Sequence, residues 1–162
     1  MLKVVDSGDL KRLSGMAATA PRGRANFNLH PELADPVQRF LNAIEPGSYV
    51  RPHRHALAEG RWELFVILAG AVAVLVFDDE ARVVERVELD AAGGALAVEI
   101  PPGVWHALTA LKPGSVMFEF KPGPYSPLSD KDFAPWAPAE GDPATASWAD
   151  RYRRAAVGDC LA

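Results

Sequence analysis

The stretch YVRPHRH, residues 49–55, decides the fold of this 162-residue chain and locates its chemistry. Side chains alternate between the two faces of an extended strand, so His53 and His55 are predicted to project from the same face. Tyr49 and Arg51 lie on that face by the same alternation. Two imidazole rings therefore converge on one point.

Two later residues can complete a metal site around this pair. Glu63 opens the next apolar run and can bring a carboxylate from an adjacent antiparallel strand, and His106 follows a Pro-Pro-Gly turn at residues 101–103. Three neutral imidazoles and one carboxylate suit one divalent first-row metal ion such as Fe(II), Mn(II), Ni(II) or Zn(II). The His-x-His motif alone is equally compatible with two surface histidines and an unrelated third.

Glycines and a proline around these residues resemble the two-part motif of the cupin superfamily. The matching patterns are Gly47-x5-His53-x-His55, Glu63-x6-Gly70 and Pro101-x-Gly103-x2-His106. The resemblance implies that the three histidines and the glutamate bind a metal ion inside a small jelly-roll barrel.

The carboxylate ligand has two candidates. Seven residues separate His55 from Glu63, where the family pattern has three or four, and Glu59 lies at the shorter spacing. Glu63 is favoured because it stands six residues ahead of Gly70 and begins a strand pattern. Glu59, beside Gly60, is typical of a loop.

A narrower resemblance covers most of the chain. Four motifs are similar to those of the WbuC-type cupin-fold metalloproteins, a small bacterial family often encoded beside O-antigen polysaccharide genes: RANFNLH (24–30), YVRPHRH (49–55), KPGPY (121–125) and FAPWAP (133–138). This resemblance implies a place in polysaccharide biosynthesis. Cupins are commonly dimers, so a homodimer is expected.

Composition narrows the class of protein. Lys and Arg number 17 and Asp and Glu number 21, a net charge of −4, and the two signs are interspersed, so neither nucleic acid nor a membrane is an expected partner. The single cysteine, Cys160, excludes an intramolecular disulfide. The longest apolar run, 64–77, is shorter than the roughly 20 residues of a membrane span, and residues 1–6 contain no apolar run of signal-peptide length. These features predict a cytoplasmic protein.

The element pattern predicts an all-β sandwich or barrel with a short N-terminal helix and a C-terminal coil plus helix, and the resemblance implies that it is a single cupin jelly-roll barrel. Three regions are expected: an arm (1–23), the metal-binding barrel with its preceding arm and helix (24–121), and a Pro-rich coil and helix packed on the barrel (122–162). The short N-terminal helix is predicted to begin at Asp35-Pro36 and to end before Pro46-Gly47. Strands are predicted at 24–30, 48–55, 62–69, 71–77, 82–89, 96–100, 104–111 and 115–121.

The metal face predicts a substrate pocket. Tyr49 and Arg51 should line it, and a buried arginine needs an anion, either Glu119 or a ligand phosphate or carboxylate. His30 shares one face with Asn26 and Asn28. This arrangement is typical of a polar face on an edge strand, and it also suits a lid over the metal. The predicted substrate-binding residues are therefore Arg24, Asn26, Asn28 and Arg51, and the predicted catalytic residues are Tyr49, His30 and Glu119.

These residues predict a metal-dependent enzyme of the isomerase, epimerase or lyase type for a small polar anionic metabolite. The resemblance to the WbuC-type proteins implies that this metabolite is a sugar or nucleotide-sugar. The alternatives are a non-haem Fe(II) oxygenase and a non-catalytic ligand-binding or sensor cupin. A pocket rich in titratable groups favours the enzyme, whereas an apolar pocket favours binding or dioxygen chemistry.

Overall fold

Short strands pair into two antiparallel sheets in this computed structural model, which describes residues 1–55, 57–126 and 131–162. The elements in chain order are α1 (Ser7–Thr19), β1 (Arg24–Asn28), β2 (Val37–Ile44), β3 (His53–Arg54), β4 (Glu63–Ala69), β5 (Ala71–Phe77), β6 (Val83–Asp90), β7 (Ala97–Ile100), β8 (Trp105–Ala110), β9 (Ser115–Pro122), β10 (Asp132–Phe133) and α2 (Thr145–Arg154). The first sheet has the order β1-β2-β9-β4-β7 and the second β10-β3-β8-β5-β6.

The two sheets enclose an apolar core. Strand alternation directs one face of each sheet inward, and the enclosed side chains include Ile44, Phe65, Ile67, Val72, Val74, Leu108 and Met117. This sandwich confirms the predicted all-β jelly-roll class. The strands of the region 62–122 lie within one residue of their predicted bounds.

The helices cover the outer faces of the sheets. Asp6 caps α1 by accepting from the backbone N–H groups of Gly8 and Asp9, and Leu13 of this helix packs on the outer face of the first sheet. Trp148 and Tyr152 of α2 pack against the second sheet. Because α2 covers the outer face of the second sheet, strand β5 is buried on both sides and is apolar on both faces. No helix in the described residues is long and apolar enough to cross a membrane.

The helix predicted from Asp35 to the residues before Pro46 is wrong, because this segment forms β2. Val37, Phe40, Leu41 and Ile44 fit one face of a helix, but the same residues also suit a strand. Pairing with β1 along one edge and β9 along the other decides the outcome. The N-terminal helix is instead α1, which lies within the region 1–23 that was predicted as an arm.

The strand predicted at 48–55 is reduced to His53–Arg54. Residues 48–52 have no regular structure. Pro52 has no N–H group for a ladder, although its carbonyl accepts a hydrogen bond from Ala134 N at 2.9 Å. The alternation argument therefore fails before His53. Of the Pro-rich segment, Pro127 lies outside the described residues, and Phe133 contributes to the short strand β10.

Candidate metal centre

Three strands bring the predicted ligands together. His53 is paired directly with His106 across β3 and β8, and their ring centroids are 4.4 Å apart. Glu63 is the first residue of β4, and His55 follows β3. All four side chains are at most 3% exposed. One nitrogen or oxygen atom from each lies within 4.8 Å of the others, which is close enough for a single ion.

Backbone carbonyls orient two of the rings. His53 Nδ1 lies 2.9 Å from Arg51 O, and His106 Nδ1 lies 2.9 Å from Val104 O. Because a carbonyl oxygen can only accept, each Nδ1 carries the hydrogen and each Nε2 presents a lone pair. His53 Nε2 is buried and has no hydrogen-bond partner in the described part of the chain. A metal ion is the partner that such a nitrogen suits.

The electrostatics of the cluster also fit a cation. Burial holds the pKa of His53 well below its usual value, so this ring is a neutral ligand at pH 7. Burial raises the pKa of Glu63, but its close polar contacts with His106, His55 and Glu119 outweigh this effect and keep the pKa well below its usual value. Neutral imidazole and buried carboxylate therefore form a nitrogen and oxygen donor set for a divalent ion.

The choice between the two glutamates is clear in the structure. Glu63 Oε2 lies 3.0 Å from His106 Nε2 and 3.3 Å from His55 Nε2. Glu59 lies outside the cluster, with its side chain half exposed and paired with Arg61. Glu63 is the carboxylate that the histidines surround.

Glu119 lies beside the cluster but not within it. Its side chain is buried next to Glu63, and its Oε2 accepts a hydrogen bond from Asn42 Nδ2 at 3.0 Å. Burial and the neighbouring negative charge of Glu63 raise the pKa of Glu119 well above its usual value. Of these two neighbouring carboxyl groups, Glu119 therefore holds a proton more tightly than Glu63.

A cavity of about 610 Å³ opens beside the cluster. It reaches His53 and Glu63 at its inner end, and all four predicted substrate-binding residues line it. Its charged and polar lining comprises Arg22, Arg24, Asn26, Asn28, His30, Gln38, Asn42, Arg51, Glu119, Lys121, Lys131 and Glu140. Among the described residues that line it, five are Lys or Arg and three, with Glu63 included, are acids, in a chain with net charge −4. The cavity thus concentrates positive charge within an acidic protein.

Arg51 lines the cavity as predicted, but its predicted partnership with Glu119 is wrong. Its Nη2 donates to Ala134 O at 3.0 Å, and its guanidinium carbon lies 5.2 Å from the centre of the Phe133 ring. Its Nε is buried without a hydrogen-bond partner among the described residues. Strand β10 and the residue after it, rather than Glu119 on β9, hold this arginine.

The prediction that Tyr49 faces the metal is also wrong. Its hydroxyl donates to Pro138 O at 2.8 Å, and its ring stacks on Tyr152 with centroids 5.8 Å apart. The irregular backbone before His53 turns Tyr49 toward α2, away from the cavity. Burial raises the pKa of Tyr49 to about 12. These contacts remove Tyr49 from the catalytic candidates.

His30 lies in the cavity wall. It is 6% exposed, and its Nδ1 lies 3.1 Å from both the backbone N and O atoms of Arg39, which fix the ring. Its Nε2 is buried and has no hydrogen-bond partner in the described ranges. Asn26 and Asn28 share the same wall and are joined by a hydrogen bond of 2.8 Å.

Several cavity residues were missed by the sequence analysis. Lys121 could have been found, because it follows Glu119 by two positions on β9 and so lies on the same face. Asn42 was hidden by the predicted helix. Glu140 and Lys131 lie in the C-terminal coil, where no periodic pattern indicates which side chains reach the cavity.

Comparison with known proteins supports the fold. A family model described as "Domain of unknown function (DUF6016)" matches residues 5–89. No curated protein matches the chain in sequence. Among solved structures it is similar to a recombinant oxalate oxidase in complex with glycolate (TM-score 0.54, 18% identity, covering 73% of this chain and 58% of that one).

Two further structures show the same likeness. The capsular polysaccharide assembling protein CapF from Staphylococcus aureus has a TM-score of 0.53 and 21% identity over 71% of this chain and 31% of CapF. The protein TT1209 from Thermus thermophilus has a TM-score of 0.53 and 22% identity over 75% of this chain and 97% of TT1209. The chain thus spans less than two thirds of the oxalate oxidase and of CapF. At these identities the likenesses show the cupin fold alone.

Proposed function

We propose that this chain, which belongs to the DUF6016 family, is a metal-dependent enzyme for a small polar anionic metabolite. The observation that carries the proposal is the opening of the cluster of His53, His55, Glu63 and His106 onto a cavity lined by titratable and cationic groups. The reaction is of the isomerase, epimerase or lyase type.

The bound divalent ion would supply a Lewis acid at the inner end of the cavity. The chain's own groups would then bind the substrate and move its protons. Glu119 lies in the cavity wall beside Glu63, held by Asn42, where it can exchange a proton with a bound substrate. His30 lies in the wall of the same cavity and is the second candidate for proton transfer. Elimination, and epimerisation at a carbon next to a carbonyl group, both proceed by such a transfer of a proton at carbon.

The charge of the cavity supports an anionic substrate. Arg51, Lys121 and Lys131 line it, and positive charge in an enclosed wall attracts phosphate or carboxylate. A sugar phosphate or nucleotide-sugar satisfies both the charge and the many hydrogen-bonding groups. CapF, a structural neighbour, is named for capsular polysaccharide assembly, which makes sugar derivatives the first class to test. A role in polysaccharide biosynthesis and a homodimer are part of this proposal.

The polar lining favours this class over the two alternatives. An apolar wall around the metal would favour an oxygenase or a sensor for an apolar ligand, whereas Glu119, Asn42, His30 and Arg51 all line this one. These groups can bind a hydroxylated anionic substrate, and Glu119 and His30 can exchange protons with it.

The test is a ligand screen on protein purified without chelator or affinity-tag nickel, after its metal content has been determined. Sugar phosphates and nucleotide-sugars that bind should raise the Tm of the metal-loaded protein, and hits should be converted to isomers or elimination products visible by NMR. The Arg51→Met variant should bind each of these ligands more weakly and should retain its metal. Oxygen consumption with a hit would favour the oxygenase, and binding without turnover would favour the sensor.

A further inference from the structure

The outer end of the cavity holds a carboxylate that belongs to the chain itself. Glu140 pairs through one oxygen with Arg22 Nη1 at 2.7 Å and through the other with Arg24 Nη2. All three residues line the cavity. Two guanidinium groups on the separate oxygens of one carboxylate are an arrangement by which proteins also bind phosphate and carboxylate ligands.

Arg24 does not need Glu140 to stay in place. Its side chain is only 16% exposed, and its Nη1 donates to Tyr49 O and lies 3.5 Å from Ser48 Oγ. These contacts come from the backbone and from a buried hydroxyl. The guanidinium would therefore remain directed into the cavity if the carboxylate moved away.

Glu140 is held less firmly than Arg24. Its side chain is 37% exposed, and it lies in the irregular segment between β10 and α2. Its recorded side-chain contacts in the described residues are those with Arg22 and Arg24. An anion that enters the cavity could thus replace this carboxylate by a local change in one side chain.

Two residues of the cavity wall carry buried nitrogen atoms that have no hydrogen-bond partner in the described part of the chain. These atoms are His30 Nε2, on a residue that is only 6% exposed, and Arg51 Nε. Both residues line the same cavity as the Arg22 and Arg24 pair. The polar side chains along this wall suit a polar ligand that spans the space between the arginine pair and the metal cluster.

We infer that Arg22 and Arg24 form an anion subsite that Glu140 occupies, and that a phosphate or carboxylate at the distal end of the substrate exchanges with the Glu140 carboxylate. The inference rests on the proposed function for the inner end, where the other end of the substrate lies. It narrows the substrate to a small molecule with an anionic group remote from its metal-binding oxygens. Glu140 then acts as an internal competitor that lowers the affinity for that group.

The experiment measures the binding of inorganic phosphate to the metal-loaded full chain by calorimetry or NMR titration. Glu140→Gln should bind phosphate about two- to fivefold more tightly than the wild type, the factor that corresponds to loss of one partly exposed ion pair. Asp150→Asn, which removes the surface pair with Arg154 on α2 and changes the net charge equally, should leave the affinity unchanged.

The gain in phosphate affinity of Glu140→Gln must depend on the two arginines. Adding Arg24→Met to Glu140→Gln should abolish this gain. Adding Arg22→Met, at a side chain that is 67% exposed and therefore safe for folding, should reduce it. The inference is overturned if Glu140→Gln binds no more tightly than the wild type, if neither protein binds phosphate, if Asp150→Asn gains equally, or if the gain survives both arginine substitutions.

Metal content measured on the same samples separates the two proposals. A full complement of metal with no phosphate gain in Glu140→Gln contradicts the subsite and leaves the metal-dependent function standing. A wild-type chain that binds no metal contradicts the proposed function, whatever its affinity for phosphate.

Discussion

The two ends of the cavity hold their charges in different ways. At the inner end, His53, Glu63 and His106 are at most 3% exposed, and their positions follow from strand pairing. At the outer end, Glu140 meets arginines that are more than 110 residues away in sequence, through partly exposed side chains. The inner end is a rigid set of donors suited to one ion, whereas the outer end is an ion pair that can exchange its anion.

The largest effect is expected from removing an inner-end ligand. His53→Ala or His106→Ala should reduce bound metal from one ion per chain to a small fraction, because a missing ligand leaves a divalent ion with an incomplete donor set. The metal-dependent increase in Tm should disappear with it. Metal analysis after gel filtration, together with thermal unfolding, measures both quantities.

His30→Ala is the matched control for these variants, since it removes a buried histidine from the same cavity but not from the cluster. It should retain the full complement of metal. A full complement of metal in His53→Ala, or loss of metal in His30→Ala, would show that the assigned set of metal ligands is wrong.

Replacing the two candidate glutamates should have a smaller effect on metal affinity, and the effect should differ between them. Glu63→Gln keeps the shape of the side chain and removes its charge, so metal affinity should fall by about one to two orders of magnitude. Glu59→Gln alters a half-exposed residue outside the cluster and should bind metal as the wild type does. Competition with a chelator of known affinity measures the difference, and the reverse order would identify Glu59 as the ligand.

The inner end was predictable from sequence because its geometry follows from local rules. His53 and His55 flank one residue, Glu63 opens a strand, and His106 follows a Pro-Pro-Gly turn. Each rule needs only the few residues around it. The family motif then supplied the pairing between these distant segments, which spacing alone could not.

The outer end and the entry to the cavity were not predictable in the same way. The segment 37–44 carries apolar residues at a spacing that suits a helix, and only its pairing with β1 and β9 makes it a strand. Tyr49 was misplaced because the backbone before His53 is irregular. Glu140 reaches its arginines from a coil, and a coil has no period from which the direction of a side chain can be inferred.

The smallest effect concerns the stability that the outer ion pair contributes. Burial raises the pKa of Glu140, but Arg22 and Arg24 outweigh it and hold the pKa below its ordinary value of 4.5. A carboxyl with a depressed folded-state pKa stabilises the fold above its unfolded-state pKa and loses that contribution as the pH falls through the folded-state pKa. Because the side chain is more than one third exposed, solvent limits the contribution to about 0.5 kcal/mol.

Glu140→Gln should therefore lower the Tm by about 1–2 °C at pH 7. The difference from the wild type should shrink as the pH falls below about 4.5 and vanish below the folded-state pKa. Scanning calorimetry from pH 7 to pH 3.5 follows this trend. The control is Asp150→Asn, which removes a surface ion pair with Arg154 in which both side chains are more than half exposed. A difference that stays constant over this range would mean that Glu140 stabilises the C-terminal coil by packing rather than by charge, and the outer end would then lack the exchangeable ion pair that distinguishes it from the metal cluster.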